Sequence, residues 1–190
     1  MSNVANNMIN LVDSGKTVFT TADLALLWKI ANRNTLRVTI HRAETKNYLT
    51  IIRKGIYRLA TKEVDRLELA GKLKKFSYIS FETALAQAGV IFQWHDSITA
   101  ASDRRMTITN KYGRFVYRRL PKSVLINQIG IIKKNNYYIA LAERALCDKI
   151  YKDGLIYFDD LSAINRELAL KISRIYNKRL MNDVKKLLNK

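Results

Sequence analysis

The most informative part of the chain spans residues 18–59 and reads VFTTADLALLWKIANRNTLRVTIHRAETKNYLTIIRKGIYRL. Near its start, Thr20 and Asp23 have the spacing of a capping box, in which each side chain satisfies a backbone N–H at a helix start. Thr21 offers a second possible cap. An apolar stripe follows, formed by Leu24, Leu26, Leu27 and Ile30. The pattern predicts a helix of about ten residues.

Residues 34–46 have the pattern of a second helix. Leu36, Ile40 and Ala43 recur at the spacing of one helix face, and Asn32 or Asn34 can cap it. Steps of about 100° per residue place a polar, basic set on the opposite side. The residues of this face are Asn34, Arg37, Val38, His41, Arg42 and Thr45. Two further cations, Arg33 and Lys46, flank it. Donors beside one small apolar group are what recognition of base edges requires.

Two β-rich runs follow, at residues 49–52 and 56–59. Arg53, Lys54 and Gly55 join them, so we expect a hairpin whose tip carries two cations suited to phosphate contact. Two helices followed by such a hairpin predict a winged helix-turn-helix, with double-stranded DNA as its partner. A basic helix face that only contacts solvent is the plain alternative.

The composition favours a folded protein with a polyanionic partner. The 190 residues are 48% hydrophobic, and the formal net charge is +18. Residues 1–60 carry nine Lys and Arg against three Asp and Glu. The remaining residues carry 25 against 13, so the second part of the chain is basic in its own right. No apolar run has the length of a membrane span, and the N-terminus lacks the pattern of a signal peptide. We therefore expect a cytoplasmic protein that does not contact a membrane.

Residues 61–190 predict a second domain, of the α+β class, and residues 60–76 at its start are expected to form a short helical connector. Ser80 is expected to cap a helix that ends at Gly89. Strands are predicted at residues 97–101, 105–109, 114–120, 124–132 and 137–141, then a helix at 142–151 and two or three more to the end. The expected architecture is a small, mostly antiparallel sheet, with flanking helices that cover one of its sides.

A second basic surface is predicted within this domain. Residues 104–134 contain nine Lys or Arg and no Asp or Glu. Alternation along the strand at 114–120 places Phe115 and Tyr117 on one face and Arg114 and Arg118 on the other, which we expect to point outward. The candidate residues are Arg104, Arg105, Arg114, Arg118 and Lys122. A contact surface for RNA, DNA or an acidic protein and a merely solvated sheet face both fit this pattern.

No catalytic site, metal site or cofactor is predicted. The phosphate-binding and dinucleotide-binding glycine patterns are absent, and the two histidines, His41 and His95, lack the spacing of a zinc site. The single cysteine, Cys147, is expected to be a small buried hydrophobe. The pair Asp159 and Asp160 is interpreted as charge at a helix N-terminus. We therefore do not expect an enzyme.

Three segments together resemble one protein family. The first is marked by Thr21, Ala22, Asp23, Arg33, Leu36, Arg42, Gly55, Ile56 and Tyr57; the second by Tyr78, Ile79, Ser80, Glu82, Ala84, Leu85, Arg105, Thr109, Gly113, Phe115, Tyr117 and Pro121; the third by Ala142, Glu143, Ala145, Leu146 and Asp148. In these segments the chain is similar to the AbiEi-type antitoxins of bacterial abortive-infection, or phage-defence, toxin-antitoxin systems.

The resemblance implies two roles. One is transcriptional self-repression at the chain's own promoter, through a DNA-binding domain at residues 1–60. The other is neutralisation, by a basic antitoxin domain at residues 61–190, of a nucleotidyltransferase-like toxin encoded beside it, without need of a stable complex. Two alternatives remain open: an ordinary winged-helix transcription factor with a ligand-binding or dimerisation domain, and a basic RNA-binding protein.

Overall fold

The computed structural model describes residues 3–93 and 96–189 and shows an α+β protein. Within these residues the strands form two sheets, one of three strands and one of six. The chain divides into two compact units, Met1–Leu73 and Lys74–Lys190. Among the described helices, none is long and apolar enough to cross a membrane.

The first unit combines helices with the strands of a small antiparallel sheet. Its elements in chain order are α1 (Asn3–Asp13), β1 (Val18–Thr20), α2 (Thr21–Leu27), α3 (Arg33–Thr45), β2 (Leu49–Arg53), β3 (Ile56–Leu59) and α4 (Arg66–Leu73). The strand order is β1–β3–β2. The predicted bounds of β3 agree with the observed ones. The predicted helix at residues 34–46 lies one residue later at each end than the observed α3.

Local capping explains where the two central helices begin. The Thr20 side chain accepts from the Asp23 N–H while the Asp23 carboxylate accepts from the Thr20 N–H, so the predicted capping box is confirmed. Asn32 caps α3, accepting from the N–H groups of Asn34 and Thr35, both at 3.0 Å. The α2 helix ends at Leu27, earlier than predicted.

The boundary between the units falls after Leu73, because α4 is tied to β1. The Glu68 carboxylate is buried and accepts from the N–H and the hydroxyl of Thr17, both at 2.8 Å. Lys72 at the other end of α4 reaches Asp23 at 2.9 Å. The domain division expected at residue 60 therefore differs from the one observed. Sequence could not show these contacts, since Thr17 lies 51 residues from Glu68.

The second unit is built on a mixed sheet of six strands in the order β6–β7–β5–β4–β9–β8. Its elements are β4 (Tyr78–Ile79), α5 (Glu82–Gln87), β5 (Ile98–Ser102), β6 (Met106–Asn110), β7 (Gly113–Arg119), α6 (Lys122–Ile126), β8 (Ile131–Lys134), β9 (Tyr137–Ala140), α7 (Ala142–Asp153), α8 (Arg166–Ser173) and α9 (Lys178–Leu188). The pairs β5/β7 and β4/β9 are parallel and the other three are antiparallel.

Two local predictions in this unit are wrong. The strand expected at residues 124–132 is replaced by α6, which starts after Pro121, and β8 begins only at Ile131. Ser80 does not cap α5; its hydroxyl donates to Asp148 at 2.6 Å, and Phe81, with φ +56°, occupies the cap position. At Ser80 a contact made across the fold, with Asp148, outweighs the local pattern.

Candidate nucleic-acid interface

The side of α3 away from the core carries the predicted DNA-binding residues. Leu36, Ile40 and Ala43 are buried on the inner side. All six predicted α3 residues are exposed, namely Arg33, Asn34, Arg37, His41, Arg42 and Lys46, and so are Val38 and Thr45. Among the described residues, none of the six has a side-chain hydrogen bond or an ion pair. Their charges and donors are therefore available to a ligand.

An open groove of about 980 Å³ runs beside this face of α3. Its walls include Thr21 and Ala22 at the start of α2, Arg37 and His41 on α3, and Tyr57 on β3. Burial, and to a lesser degree the Glu44 carboxylate, raise the pKa of Tyr57, so its hydroxyl stays protonated at neutral pH. The groove therefore joins three elements of the first unit along one edge of α3.

The turn between β2 and β3 is fixed to the start of α2. Gly55 has φ +79°, which favours glycine, and its carbonyl accepts from the Thr21 N–H at 3.0 Å. Arg53 and Lys54, which precede it, are exposed, as the sequence predicted for the hairpin tip. Because Thr21 also lines the groove, the two cations stand at a turn anchored beside it.

The Asp23 carboxylate, near the start of α2, is held by two lysines and a backbone N–H. Lys72 and Lys16 lie 2.9 and 3.3 Å from Asp23, which also accepts from the Thr20 N–H. Burial acts to raise the pKa of Asp23, but the hydrogen bonds from Lys72 and Thr20 outweigh it and lower the pKa to about 2. Asp23 is therefore ionised and neutralised, and it does not oppose an anion at the groove.

The predicted basic surface of the second unit loses one of its five members. Arg104, Arg105, Arg114 and Lys122 are exposed. Arg118 is not an outward cation: its guanidinium pairs with Glu82 and Asp153 and lies 4.5 Å from the centre of the Phe81 ring.

The reason lies in what covers that face of the sheet. Alternation and register place Tyr78, Ala101 and Arg118 on one side, since Ala101 is the partner of both other residues. The contacts of Tyr78 with Asp148 and of Arg118 with Asp153 put α7 on the same side. Phe115 and Tyr117 on the opposite face are buried, as predicted. Among the residues of β7 on the α7 side, only Arg114, next to the turn between β6 and β7, is exposed.

A buried polar network in the second unit was not predicted from the sequence. Arg144 on α7 is fully buried and donates to the carbonyls of Val124, Asn127 and Ile129 at 2.8, 3.1 and 2.9 Å. It also donates to the Tyr78 hydroxyl at 2.9 Å. One guanidinium thus joins α6 and the segment after it to α7 and β4.

Asp148, one helical turn after Arg144, completes the network. It is fully buried, lies 3.5 Å from Arg144, and accepts from the hydroxyls of Ser80, Tyr78 and Tyr176. Burial raises the pKa of Asp148, and the guanidinium and the three hydroxyl donors oppose that rise. The i, i+4 spacing of Arg144 and Asp148 was the available sequence signal, but the same spacing is common on exposed helix faces.

No metal-binding group is found among the described residues, whose His, Cys, Asp and Glu do not gather in sets of three or more. Asp159 and Asp160 do not lie at a helix N-terminus as interpreted: Asp159 accepts from the Phe92 N–H at 2.7 Å, and Asp160 from Ser162. Cys147 is buried as predicted, and burial raises the pKa of its thiol. His95 lies outside the described residues.

No protein-family model matches the chain, and no curated protein matches it.

Proposed function

We propose that the first unit is a winged helix-turn-helix that binds duplex DNA, and that the chain represses transcription from its own promoter. The order of elements supports this, because α2 and α3 form the helix pair and the β2–β3 hairpin follows as the wing. In this arrangement α3 is the recognition helix. An α-helix fits the major groove, where base edges are distinguishable.

One observation supports the proposal most. The exposed side of α3 carries Arg37, His41 and Arg42 without an ion pair in the described part of the chain, and the only acid of the helix, Glu44, is half-buried. On a surface that only contacts solvent, acids and bases are usually interspersed. A concentration of unpaired cations on a helix beside a basic turn matches the phosphates on both sides of a major groove.

The test is binding of the full chain to its own upstream duplex and to an unrelated duplex across a salt series. We expect the upstream duplex to be preferred at near-physiological salt. The double variant Arg37→Gln with Arg42→Gln should bind the upstream duplex much more weakly, while Lys62→Gln, at the far end of the hairpin from its turn, should bind it as tightly as the unchanged chain. Equal, salt-sensitive binding to both duplexes would reduce the interaction to charge alone.

We further propose that the second unit is an antitoxin that neutralises a nucleotidyltransferase-like toxin encoded beside the chain, without a stable complex. The support is the resemblance to AbiEi-type antitoxins. Three of the residues that carry it, Tyr78, Ser80 and Asp148, meet in one buried network, so the likeness concerns side chains that hold this unit together. In this proposal the protein acts in the cytoplasm, has no enzymatic activity or cofactor, and offers its exposed basic residues to the toxin's RNA or protein partners.

A further inference from the structure

The exposed face of α3 has a central row that is not cationic. Leu36, Ile40 and Ala43 define the inner side of the helix. With about 100° per residue, the positions within about 30° of the opposite direction are Asn34, Val38 and Thr45. Arg42 and His41 lie to either side of this row, and Arg37 and Lys46 lie further round. If the helix enters a groove, the central row faces the base edges and the outer cations face the two phosphate strands.

Most of the uncharged polar side chains of α3 are already used by the helix itself. The hydroxyls of Thr39 and Thr45 donate to the carbonyls four residues earlier, at 2.9 and 3.0 Å, and that of Thr35 donates to Asn32 at 3.3 Å. The amide of Asn34 has no such bond among the described residues. Asn34 is therefore the residue of the central row whose donor and acceptor are both free.

Val38 follows Asn34 by one turn and is 44% exposed. An exposed β-branched apolar side chain between Arg37 and Arg42 gains nothing from water and lowers helix propensity slightly. The thymine 5-methyl is the apolar group that the major groove offers, and an amide matches the N6 and N7 of adenine as a bidentate pair. One helical turn is about 5.4 Å long, which is less than two base-pair steps of about 3.4 Å.

We propose that α3 reads an A·T-containing site, with the Asn34 amide on adenine N6 and N7 and the Val38 side chain on a thymine methyl within about two base-pair steps. This inference rests on the proposed DNA-binding function and adds the bases that are read. Arg37, His41, Arg42 and Lys46 then act mainly on phosphates, so their loss weakens binding to all duplexes alike.

The experiment begins with selection from a pool of random duplexes by the full chain. Each thymine of the selected site is then replaced by uracil, which removes only the methyl, and each adenine by 7-deazaadenine, which removes N7. We expect one uracil replacement to weaken binding about fourfold, because the loss of one buried methyl costs about as much binding free energy as the loss of one buried methylene. One 7-deazaadenine replacement nearby should weaken it by roughly tenfold.

Variants connect each base to its side chain. Val38→Ala should bind the thymine and uracil duplexes equally, and Asn34→Ala should be indifferent to 7-deazaadenine. Leu26→Ala, which removes an exposed apolar side chain from α2, is the matched control and should keep both sensitivities. Full sensitivity retained in Val38→Ala and Asn34→Ala, or a selected site without adenine and thymine at this spacing, overturns the inference but leaves DNA binding in place. Failure to select any sequence would contradict the proposed function itself.

Discussion

Asp23 combines two roles that sequence reasoning treats separately. As the partner of Thr20 it closes the capping box that starts α2, and through Lys72 it attaches α4 to the same point. The side chain is 17% exposed, so solvent screens these contacts only in part. One carboxylate therefore sets both the start of a helix pair and the packing of the unit's last helix.

The contribution of Asp23 to stability should depend on pH. Its pKa is lowered from 3.8 to about 2, so folding favours the ionised form. That stability is present above pH 4 and is lost as pH falls from about 4 to about 2. Asp23→Asn should lower the free energy of unfolding by about 2 kcal/mol at pH 7 and by much less at pH 2.5.

Urea unfolding at both pH values checks this prediction, followed by Trp28 fluorescence in a Trp94→Phe background. Trp28 is a buried residue of the first unit's core, so it reports on that unit. Asp13→Asn, at an exposed position on α1, should change little at either pH. An Asp23→Asn effect of the same size at pH 7 and pH 2.5 would show that the contacts act through shape and not through charge.

Residues differ in how far sequence predicts them. The capping box of Thr20 and Asp23 was predictable because its partners are three residues apart. The role of Arg118 was not, because its partners Glu82 and Asp153 are 36 and 35 residues away. Alternation assigned Arg118 to the correct face of β7, but it does not say what covers that face. The same limit applies to Arg144, whose burial depends on carbonyls far along the chain.

At the scale of elements, the predicted helices and strands agreed best with the observed ones where a cap or a turn marks their ends. The β2–β3 hairpin was predictable because Gly55 interrupts two apolar runs, and α3 because Asn32 caps a periodic stripe. Residues 124–126 are three apolar residues without a period, which suit a strand or a helix equally. The N–H groups of Val124 and Leu125 turn back to the Pro121 carbonyl, and helix α6 forms there.

The β2–β3 turn should contribute to DNA affinity through charge only. Arg53→Gln together with Lys54→Gln removes two exposed cations and leaves Gly55 and its bond to Thr21 unchanged. The slope of log affinity against log salt should become shallower by about 1.8, or about 0.9 per lost phosphate contact. The ratio of affinities for the upstream and unrelated duplexes should stay the same. Titrations at four salt concentrations measure both quantities.

Two results would contradict this role for the turn. An unchanged salt slope would mean that the turn does not reach the phosphates, and a reduced preference for the upstream duplex would mean that it reads bases. Lys62→Gln is the matched control, because it removes a positive charge at the opposite end of the hairpin. Its slope should equal that of the unchanged chain.

At the scale of the molecule, charge is distributed over two compact units. The first unit presents unpaired cations on α3 and on the β2–β3 turn, and the Asp23 carboxylate of the same unit is already neutralised by Lys72. The second uses Arg118, Arg144 and Lys149 internally and exposes Arg104, Arg105, Arg114 and Lys122. The net charge of +18 predicted a polyanionic partner, but only the structure separates the cations available to a partner from those that hold the fold.

If the units carry separate functions, variants of the full chain should separate them. Arg105→Glu with Arg114→Glu reverses two exposed charges of the second unit, so we expect loss of rescue from the neighbouring toxin with unchanged binding to the upstream duplex. Arg37→Gln with Arg42→Gln should weaken binding to the upstream duplex and leave rescue unchanged. Rescue is measured as growth on co-expression of the toxin from a separate, constant promoter, so that loss of repression does not alter the toxin dose.

Arg118→Gln distinguishes a contact surface from structural support. It removes the pairs with Glu82 and Asp153 and should destabilise the second unit by about 2 kcal/mol, a typical value for hydrogen bonds to charged groups. Growth rescue at low temperature should therefore survive in Arg118→Gln and fail at high temperature, whereas Arg105→Glu with Arg114→Glu should fail at both. Rescue that survives charge reversal at all temperatures would make Arg105 and Arg114 plain solvent-facing residues and contradict their part in the proposed antitoxin activity.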